Sequence, residues 1–294
     1  MNTRHVTQLI PSIETSDGAG VKLRRSLGAA RDLRVDPFLM LDEFGTDNPD
    51  DYIAGFPPHP HRGFETVTYM LDGHMRHEDH MGNVGELTEG GVQWMTAGRG
   101  VIHSEMPQQK EGRMRGFQLW VNLPAAEKMV SAQYRDIPAN QIPVDESTDA
   151  RIKVIAGQID RTTTSTESAE GVRKSVMGPV AGPINGLTTE PYFLDVALSP
   201  GVTLEQRLPA QHNAFVYAYE GALMIDRQSV PRQQAAVLSA GTTVRVASDA
   251  GARFILLAGK PLNEPIAQRG PFVMNTDSEI RQAIRDYTDG VLTQ

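Results

Sequence analysis

Two short residue pairs offer the side chains in this sequence that are best suited to chemistry. The first pair is His59 and His61, and the second is His103 and Glu105. Successive side chains of a β-strand point to opposite faces, so each pair can aim both of its side chains at one point. Three imidazoles and one carboxylate form a ligand set suited to iron, nickel, manganese, copper, cobalt or zinc. The two pairs therefore indicate a metal centre.

The distance between the pairs along the chain suggests how a fold brings them together. Residues 61 and 103 are separated by enough chain for roughly four intervening strands of ordinary length. A chain that winds around a small β-barrel can return its second pair beside its first, and such a barrel can hold one ion or ligand. Four protein ligands on an octahedral metal leave two positions open for a substrate oxygen and O2, whereas a closed tetrahedral zinc site leaves none.

The rest of the sequence predicts many short strands. Its 27 glycines and 19 prolines divide it into segments rich in Val, Thr, Ile, Phe and Tyr, which is typical of an all-β barrel or sandwich. The one convincing helix is at the C-terminus, where Thr276 is a candidate N-cap ahead of SEIRQAIRDYTDG. The predicted strands are GFETVTYML, VQWMTA, MRGFQLWVNL, RIKVIAGQI, PYFLDVALS, AFVYAYEGALMI, TTVRVAS and RFILLAG.

The length of 294 residues suggests about two domains. Three prolines interrupt any pattern between 124 and 150, so the boundary is expected near 135–145, with an N-terminal domain over 1–138 and a C-terminal domain over 139–294. The polar stretch RTTTSTESAEG, residues 161–171, is expected to be a mobile surface loop.

Composition limits the classes of function. A formal net charge of -8 without a basic block argues against direct nucleic-acid binding, which depends on Lys and Arg. The chain has no cysteine, so disulfides, zinc–thiolate sites and thiol redox switching are excluded. No apolar run approaches the ~18 residues of a membrane span, and no signal peptide is evident. The expected location is the cytoplasm, with no membrane partner.

Longer motifs resemble a known family. GFPPHPHRGFETVTYMLDG is similar to the first motif of the cupin superfamily, in which a glycine, an HxH pair, a glutamate (here Glu65) and a glycine (here Gly73) follow one another. The pirin family resembles this sequence in further segments, between about residues 15 and 275. Those segments are HPHRGFETV, HEDHMGNVGE, QWMTAGRGVIHSEMP, ETSDGAGVKLRRSLG, DPFLMLDEFG and RGPFVMN.

The resemblance to pirins implies an all-β bicupin, in which two jelly-roll β-barrels lie face to face and a short helix ends the chain. It implies a metal in the N-terminal barrel alone, usually iron(II), with His59, His61, His103 and Glu105 as ligands. The C-terminal barrel, with its lone His212, would be metal-free. Glu65 would lie near the metal and orient ligands or transfer protons; the alternative is a structural hydrogen bond or a salt bridge, for example to Arg62.

The resulting functional hypothesis is an iron-dependent dioxygenase similar to quercetin 2,3-dioxygenase. It would open an aromatic flavonol or enediol substrate with O2, and Glu105 or Glu65 would accept the substrate proton. One alternative is a redox-responsive regulatory protein that acts through a protein partner and has no physiological substrate. Another is an isomerase or hydrolase that uses zinc or manganese. His74, His77 and His80 crowd one turn, where surface positions or packing around the metal site are expected rather than a second metal site.

Overall fold

The computed structural model describes residues 2–160 and 178–294. The loop expected over 161–171 lies outside these residues. The described residues form many β-strands, three 3-10 helices and one α-helix, which agrees with the predicted all-β class. None of these helices is long and apolar enough to cross a membrane.

The elements follow the chain in a regular alternation of strand and turn. The strands of the first half are β1 (Val6–Pro11), β2 (Ile13–Asp17), β3 (Val21–Arg25), β4 (Phe38–Thr46), β5 (Phe56–His61), β6 (Phe64–Asp72), β7 (His74–Asp79), β8 (Val84–Thr88), β9 (Val92–Thr96), β10 (Val101–Pro107), β11 (Met114–Asn122), β12 (Gln133–Ile137) and β13 (Val144–Glu146). The 3-10 helices are Pro49–Asp51, Ala125–Glu127 and Ala139–Gln141.

The second half continues in the same way. Its strands are β14 (Ala150–Ala156), β15 (Gln158–Ile159), β16 (Val180–Ala181), β17 (Tyr192–Leu198), β18 (Val202–Arg207), β19 (Asn213–Glu220), β20 (Leu223–Ile225), β21 (Gln228–Val230), β22 (Gln234–Leu238), β23 (Thr243–Ser248), β24 (Ala252–Gly259), β25 (Ala267–Arg269) and β26 (Phe272–Met274). The α-helix α1 comprises Asp277–Thr288. Each predicted strand segment contains a strand, and the predicted C-terminal helix is confirmed.

The described residues pack as two compact units, and each unit takes two segments of the chain. The N-terminal unit consists of Ser12–Gln141 and Pro261–Gln294, and the C-terminal unit of Met1–Pro11 and Ile142–Lys260. The division expected after residue 138 differs from these units at both chain ends, because β1 pairs with β22 and α1 packs on β25 and β26. As a domain boundary along the sequence, that division stays a prediction.

Two large antiparallel sheets form the N-terminal unit. The seven-stranded sheet has the order β12-β9-β6-β11-β4-β3-β2, the four-stranded sheet has the order β5-β10-β7-β8, and β25 pairs with β26. The central strands β6 and β11 are buried over most of their length, so their sequences are continuously rich in β-branched and aromatic residues. In β10, buried and half-buried residues alternate from Val101 to Glu105, which leaves one face for the predicted ligands.

The apolar core of the N-terminal unit is built from both sheets. Full burial of one large apolar side chain contributes roughly 1.5–3 kcal/mol, so this core supplies much of the unit's stability. One cluster consists of Val21, Leu23, Phe44, Tyr52, Met70, Met75, Leu87 and Met114, and a second of Leu39, Phe64 and Val273.

The helix α1 begins with a capping box and packs in the N-terminal unit. The backbone N–H of Glu279 donates to Oγ1 of Thr276 at 3.3 Å, and the N–H of Thr276 donates to Oε2 of Glu279 at 2.8 Å. Ile280 and Ala283 form its buried face. Asp286, one turn further along α1, accepts a hydrogen bond at 2.6 Å from the guanidinium of Arg62, the residue after His61.

The C-terminal unit has a similar pair of sheets. Their orders are β1-β22-β19-β24-β17-β14-β13 and β18-β23-β20-β21, and β15 pairs with β16. His212 is buried here, with Nε2 3.4 Å from a carboxylate oxygen of Glu190, and its backbone carbonyl accepts a hydrogen bond from Arg4. That this barrel is metal-free stays a prediction.

The ion pair between Arg62 and Asp286 generates a stability prediction. The side chain of Arg62 is 5% exposed and that of Asp286 is 20% exposed, so Asp286→Asn leaves a buried guanidinium without its carboxylate. We expect a loss of about 2–4 kcal/mol in the free energy of unfolding, measured by urea denaturation. Asp289→Asn removes the same charge from the exposed end of the helix and should change that free energy by less than ~0.5 kcal/mol. Equal losses in both variants would contradict the assignment.

Candidate metal centre

Strands β5 and β10 lie side by side in the four-stranded sheet and carry the two predicted ligand pairs. They run antiparallel with His103 directly opposite His59, and a register irregularity separates His103 from Glu105. Four strands, β6 to β9, lie between β5 and β10 along the chain, which confirms the expectation from the spacing. Strand pairing therefore brings the distant pairs together.

The imidazoles of His59, His61 and His103 converge on one point. One ring nitrogen of each lies within 4.8 Å of those of the other two, and Nε2 of His59 is 3.0 Å from Nε2 of His61. Two nitrogens bound at right angles to one ion, with bonds of about 2.1 Å, lie about 3.0 Å apart. The spacing of these nitrogens therefore fits adjacent positions on a single transition metal.

The protonation of these rings also fits metal binding. The pKa of His61 and of His103 lies well below the ordinary value, mainly because burial removes solvation and to a smaller extent because neighbouring imidazoles repel a charge. Both rings are therefore neutral near pH 7. Nδ1 of His59 lies 2.8 Å from the carbonyl oxygen of Pro57. A carbonyl can only accept, so this nitrogen carries a proton, and in the neutral form of the ring Nε2 of His59 keeps its lone pair. Neutral imidazole is the form that binds metals.

A chain of polar side chains behind His103 selects the nitrogen that faces the cluster. Nδ1 of His103 lies 3.3 Å from Nδ1 of His77, and Nε2 of His77 lies 3.6 Å from Oδ2 of Asp79. Nε2 of His103 is buried with no hydrogen-bond partner among the described residues. When Nδ1 of His103 donates to His77, Nε2 of His103 keeps its lone pair and the remaining proton of His77 points to Asp79. This arrangement leaves a ligand nitrogen directed at the cluster.

The packing around His77 fixes the orientation of its ring. His77 stacks on Tyr134, with ring centroids 4.6 Å apart and an angle of 20° between the planes. The hydroxyl of Tyr134 donates to Asp136, and the amide of Gln93 donates to Tyr134 and to Asp136 at 3.3 Å each. A Cβ atom at Gly85 would lie 1.6 Å from the Tyr134 hydroxyl, so a glycine at this position leaves the space that the stacked pair needs.

Glu105 is close to the imidazoles but is held by other partners. It lines the same cavity as His59 and His61, although it is not one of the three side chains whose ligand atoms meet. Its Oε1 accepts from the hydroxyl of Thr68 at 2.7 Å, and its Oε2 accepts from the amide of Gln118 at 3.1 Å. Each carboxylate oxygen has a further lone pair, so Glu105 can still bind an ion or a proton. Its assignment as the fourth ligand stays a prediction.

Glu65 has a structural hydrogen bond and does not line the cavity. It is 1% exposed, and its Oε1 accepts from the hydroxyl of Thr96 at 2.7 Å. Burial raises the pKa of Glu65 to about 7, and the bond from Thr96 opposes only part of that shift. The alternative salt bridge with Arg62 is wrong, because Arg62 pairs with Asp286. A role for Glu65 in proton transfer stays a prediction.

The other two histidines of the crowded turn lie elsewhere. Nε2 of His74 is 2.6 Å from a carboxylate oxygen of Glu86 near the surface, and Nδ1 of His80 accepts from the backbone N–H of Ile102 at 3.3 Å. Within residues 2–160 and 178–294, no second group of metal-type side chains forms around them. His77 packs against the candidate ligand His103, whereas His74 and His80 lie near the surface.

A cavity of about 610 Å³ opens beside His59, His61 and Glu105. Pockets of 300–1,000 Å³ that are mostly apolar and contain a few polar groups are typical of sites for small molecules. The indole of Trp120 lies edge-on to His61, with ring centroids 5.4 Å apart, and so connects the apolar wall to the cluster. The other large apolar side chains of the wall are Leu23, Leu39, Met40, Phe44 and Phe56.

One ion pair with a buried carboxylate interrupts this apolar wall. Nε and Nη2 of Arg25 donate to the two carboxylate oxygens of Asp42 at 2.8 and 2.7 Å, and Nη2 also donates to Asp17 at 2.8 Å. Burial raises the pKa of Asp42 to about 6, although Arg25 opposes that shift. The two-pronged geometry holds both side chains in one orientation. The wall therefore presents a fixed polar point to any molecule in the cavity.

Several residues of the site were not identified from sequence. Thr68 and Gln118, which hold Glu105, face each other on β6 and β11. Both are polar residues inside strongly apolar strands, and that contrast is the signal that could have found them. His77 and Asp79 show the same two-residue spacing as the ligand pairs, but their relation to His103 depends on the pairing of β7 with β10.

The fold and the site define a protein with two cupin domains and a histidine cluster in the first. Residues 20–121 match the family model described as Pirin, and residues 193–293 match the model described as Pirin C-terminal cupin domain. The chain belongs to the pirin family. The bicupin prediction is thereby confirmed.

Relatives that cover nearly the whole chain are similar to it. A protein of Pseudomonas aeruginosa, named as a candidate quercetin 2,3-dioxygenase, is 51% identical over 98% of both chains. A pirin-like protein of Caulobacter vibrioides is 45% identical over 99% of both chains. A crystal structure of quercetin 2,3-dioxygenase from Acinetobacter baumannii superimposes with a TM-score of 0.85 at 31% identity, over 99% of this chain and 98% of that one.

The contact between His103 and His77 predicts the effect of a substitution on metal affinity. His77→Leu removes the acceptor for Nδ1 of His103 while leaving every candidate ligand in place. We expect metal affinity to fall roughly 10–100-fold, measured by competition with a chelator. His74→Leu, the same substitution at a surface position, should leave the affinity unchanged. If His77→Leu binds metal with wild-type affinity, His77 does not orient the imidazole of His103.

Glu65 predicts a pH dependence of stability. Its folded pKa of about 7 lies above the ordinary value of 4.5, so the protein gains stability from Glu65 below pH 4.5 and loses it as the pH rises through 7. Glu65→Gln should abolish this loss, so the variant gains roughly 3 kcal/mol relative to wild type between pH 4.5 and pH 8. Urea denaturation across this range measures the difference. Glu89→Gln, at an exposed position, is the control. If the stability difference between Glu65→Gln and wild type is the same at every pH, the raised pKa of Glu65 is contradicted.

Proposed function

We propose that this protein is a metal-dependent dioxygenase that acts on a flavonol or another enediol in the cavity of the N-terminal unit. The observation that carries the proposal is the meeting of three imidazoles, two of which line a mostly apolar cavity of about 610 Å³. Relatives whose names refer to quercetin 2,3-dioxygenase support the same reaction class.

The chain offers a complete set of groups for such a centre. His59, His61 and His103 would hold the metal, and Glu105 would add a negative charge as fourth ligand. Iron(II) is the metal we propose first, and nickel, manganese, copper, cobalt and zinc suit the same donors. When bound, the metal supplies acidity to a coordinated hydroxyl and electron transfer to O2.

Glu105 is the proposed proton acceptor. Its carboxylate faces the cavity, and the donors Thr68 and Gln118 hold both oxygens in place. A hydroxyl proton of the substrate passes to one of these oxygens, which leaves an enolate that can react with O2. Glu65 lies outside the cavity lining, so we assign the acceptor role to Glu105 and not to Glu65.

The cavity wall would position the substrate and exclude water. The Trp120 and Phe56 rings provide flat apolar surfaces that suit a planar aromatic molecule. Arg25, held by Asp42, offers guanidinium N–H donors to a phenolic or carbonyl oxygen of the substrate. Together these groups would orient the enediol edge towards the imidazoles.

The test combines metal content with turnover. The protein is loaded anaerobically with iron(II), and O2 uptake is measured with a panel of flavonols and enediols. His59→Ala and His103→Ala should lose bound metal and turnover together. Glu105→Gln should lower turnover about 10²–10⁴-fold. His74→Ala should retain both metal and turnover. Activity in a demonstrably metal-free variant would refute the proposal.

The same experiment addresses the regulatory alternative. That alternative uses the same imidazoles and requires no substrate, so a fully iron-loaded wild-type protein would consume no O2 with any member of the panel. Such a result would overturn the dioxygenase proposal and leave a partner-binding role as the better explanation.

A further inference from the structure

Four arginines line two adjoining pockets of the N-terminal unit, here together called the arginine cavity. They are Arg31, Arg34, Arg269 and Arg281. The pocket of about 260 Å³ contains Arg31 and Arg34, and the pocket of about 380 Å³ contains Arg31, Arg269 and Arg281. Both pockets share Arg31, Gln268 and Asp277 in their walls. The arginines come from three parts of the chain: the segment before β4, strand β25 and helix α1. Their convergence is therefore a product of the fold and not of a local basic run.

These arginines differ from three other arginines of the same unit. Arg25, Arg62 and Arg115 each pair with a carboxylate. None of the four arginines has a carboxylate oxygen within 4.0 Å of a guanidinium nitrogen among the described residues. Asp277 is the one acidic residue in the described lining of the arginine cavity. In a chain with a formal charge of -8, the arginine cavity is thus a local excess of positive charge.

The position of Arg34 adds a second, independent observation. Its Nη2 contacts Oε1 of Gln268, whereas its Nε is buried with no partner in the described part of the chain. Burial and the neighbouring charge of Arg31 lower the pKa of Arg34. A half-buried cation next to a like charge is destabilising unless an anion offsets it.

We propose that the arginine cavity binds a small oxyanion of the phosphate class. Guanidinium groups form paired hydrogen bonds with the oxygens of such an anion, and the two or three of them that line each pocket suit a dianion better than a single carboxylate. The cavity volume accommodates a phosphate group with a small organic substituent. This proposal uses none of the candidate metal ligands, so it does not depend on the proposed function.

The test measures binding of inorganic phosphate to the full-length, metal-loaded protein by calorimetry, at constant ionic strength maintained with chloride. Arg31→Gln/Arg281→Gln removes two exposed arginines of the cavity and should weaken phosphate binding about tenfold or more. Arg227→Gln/Arg245→Gln removes the same charge from the exposed surface of the C-terminal unit and should leave binding unchanged. Metal content and urea denaturation confirm that both double variants keep the wild-type fold.

Phosphate binding to wild type and to the two double variants decides the outcome. Phosphate binding that is weakened in the cavity variant alone, with acetate at least about tenfold weaker than phosphate in wild type, supports the proposal. Equal weakening in both double variants would show non-specific attraction and overturn it. Unchanged phosphate binding in the cavity variant, or no binding in wild type, would overturn it as well. If glycerol phosphate binds more tightly than inorganic phosphate, the natural ligand is a phosphate ester and not the free ion.

Discussion

The pairing of β5 with β10 is the constraint on which the rest of this structure depends. It places His103 opposite His59, and strand alternation then turns His61 and Glu105 to the same side. A shift of either strand by one residue in this register would move its own pair of side chains to the other face. The apolar strands β6 and β11 fix the neighbouring sheet, and their polar residues Thr68 and Gln118 hold Glu105.

Side chains from several elements contact the turn after His61 and hold its backbone in place. Arg62 pairs with Asp286 of α1, and Nζ of Lys128 donates to the carbonyl oxygen of Gly63 at 2.7 Å. Lys128 also donates to the carbonyl of Val273 at 3.1 Å, and burial lowers its pKa to about 8. Buried charges of this kind add little net stability, but they determine the position of the backbone they contact. Here that backbone carries a candidate ligand.

Sequence predicted the parts of this molecule that depend on local spacing. Two-residue spacing in His59 and His61 implied a shared face, and the length of chain before His103 implied four strands. The partner of Arg62 could not be predicted, because Asp286 lies 224 residues away and reaches it through the packing of α1. His77 was expected only to pack near the site, because its contact with His103 depends on the β7–β10 register. Long-range contacts are set by tertiary packing, which no short motif records.

The exchange of chain ends between the two units has a consequence for biosynthesis. The segment from Pro261 onwards, which completes the N-terminal unit, is translated after both ligand-bearing strands and after the whole segment Ile142–Lys260 of the C-terminal unit. Strand β1 is likewise translated long before β22, the strand with which it pairs. Domains commonly fold one after another as they are synthesised. In this protein each unit receives its last segment only after most of the other has been translated, so the histidine strands gain their contact with α1 late in synthesis.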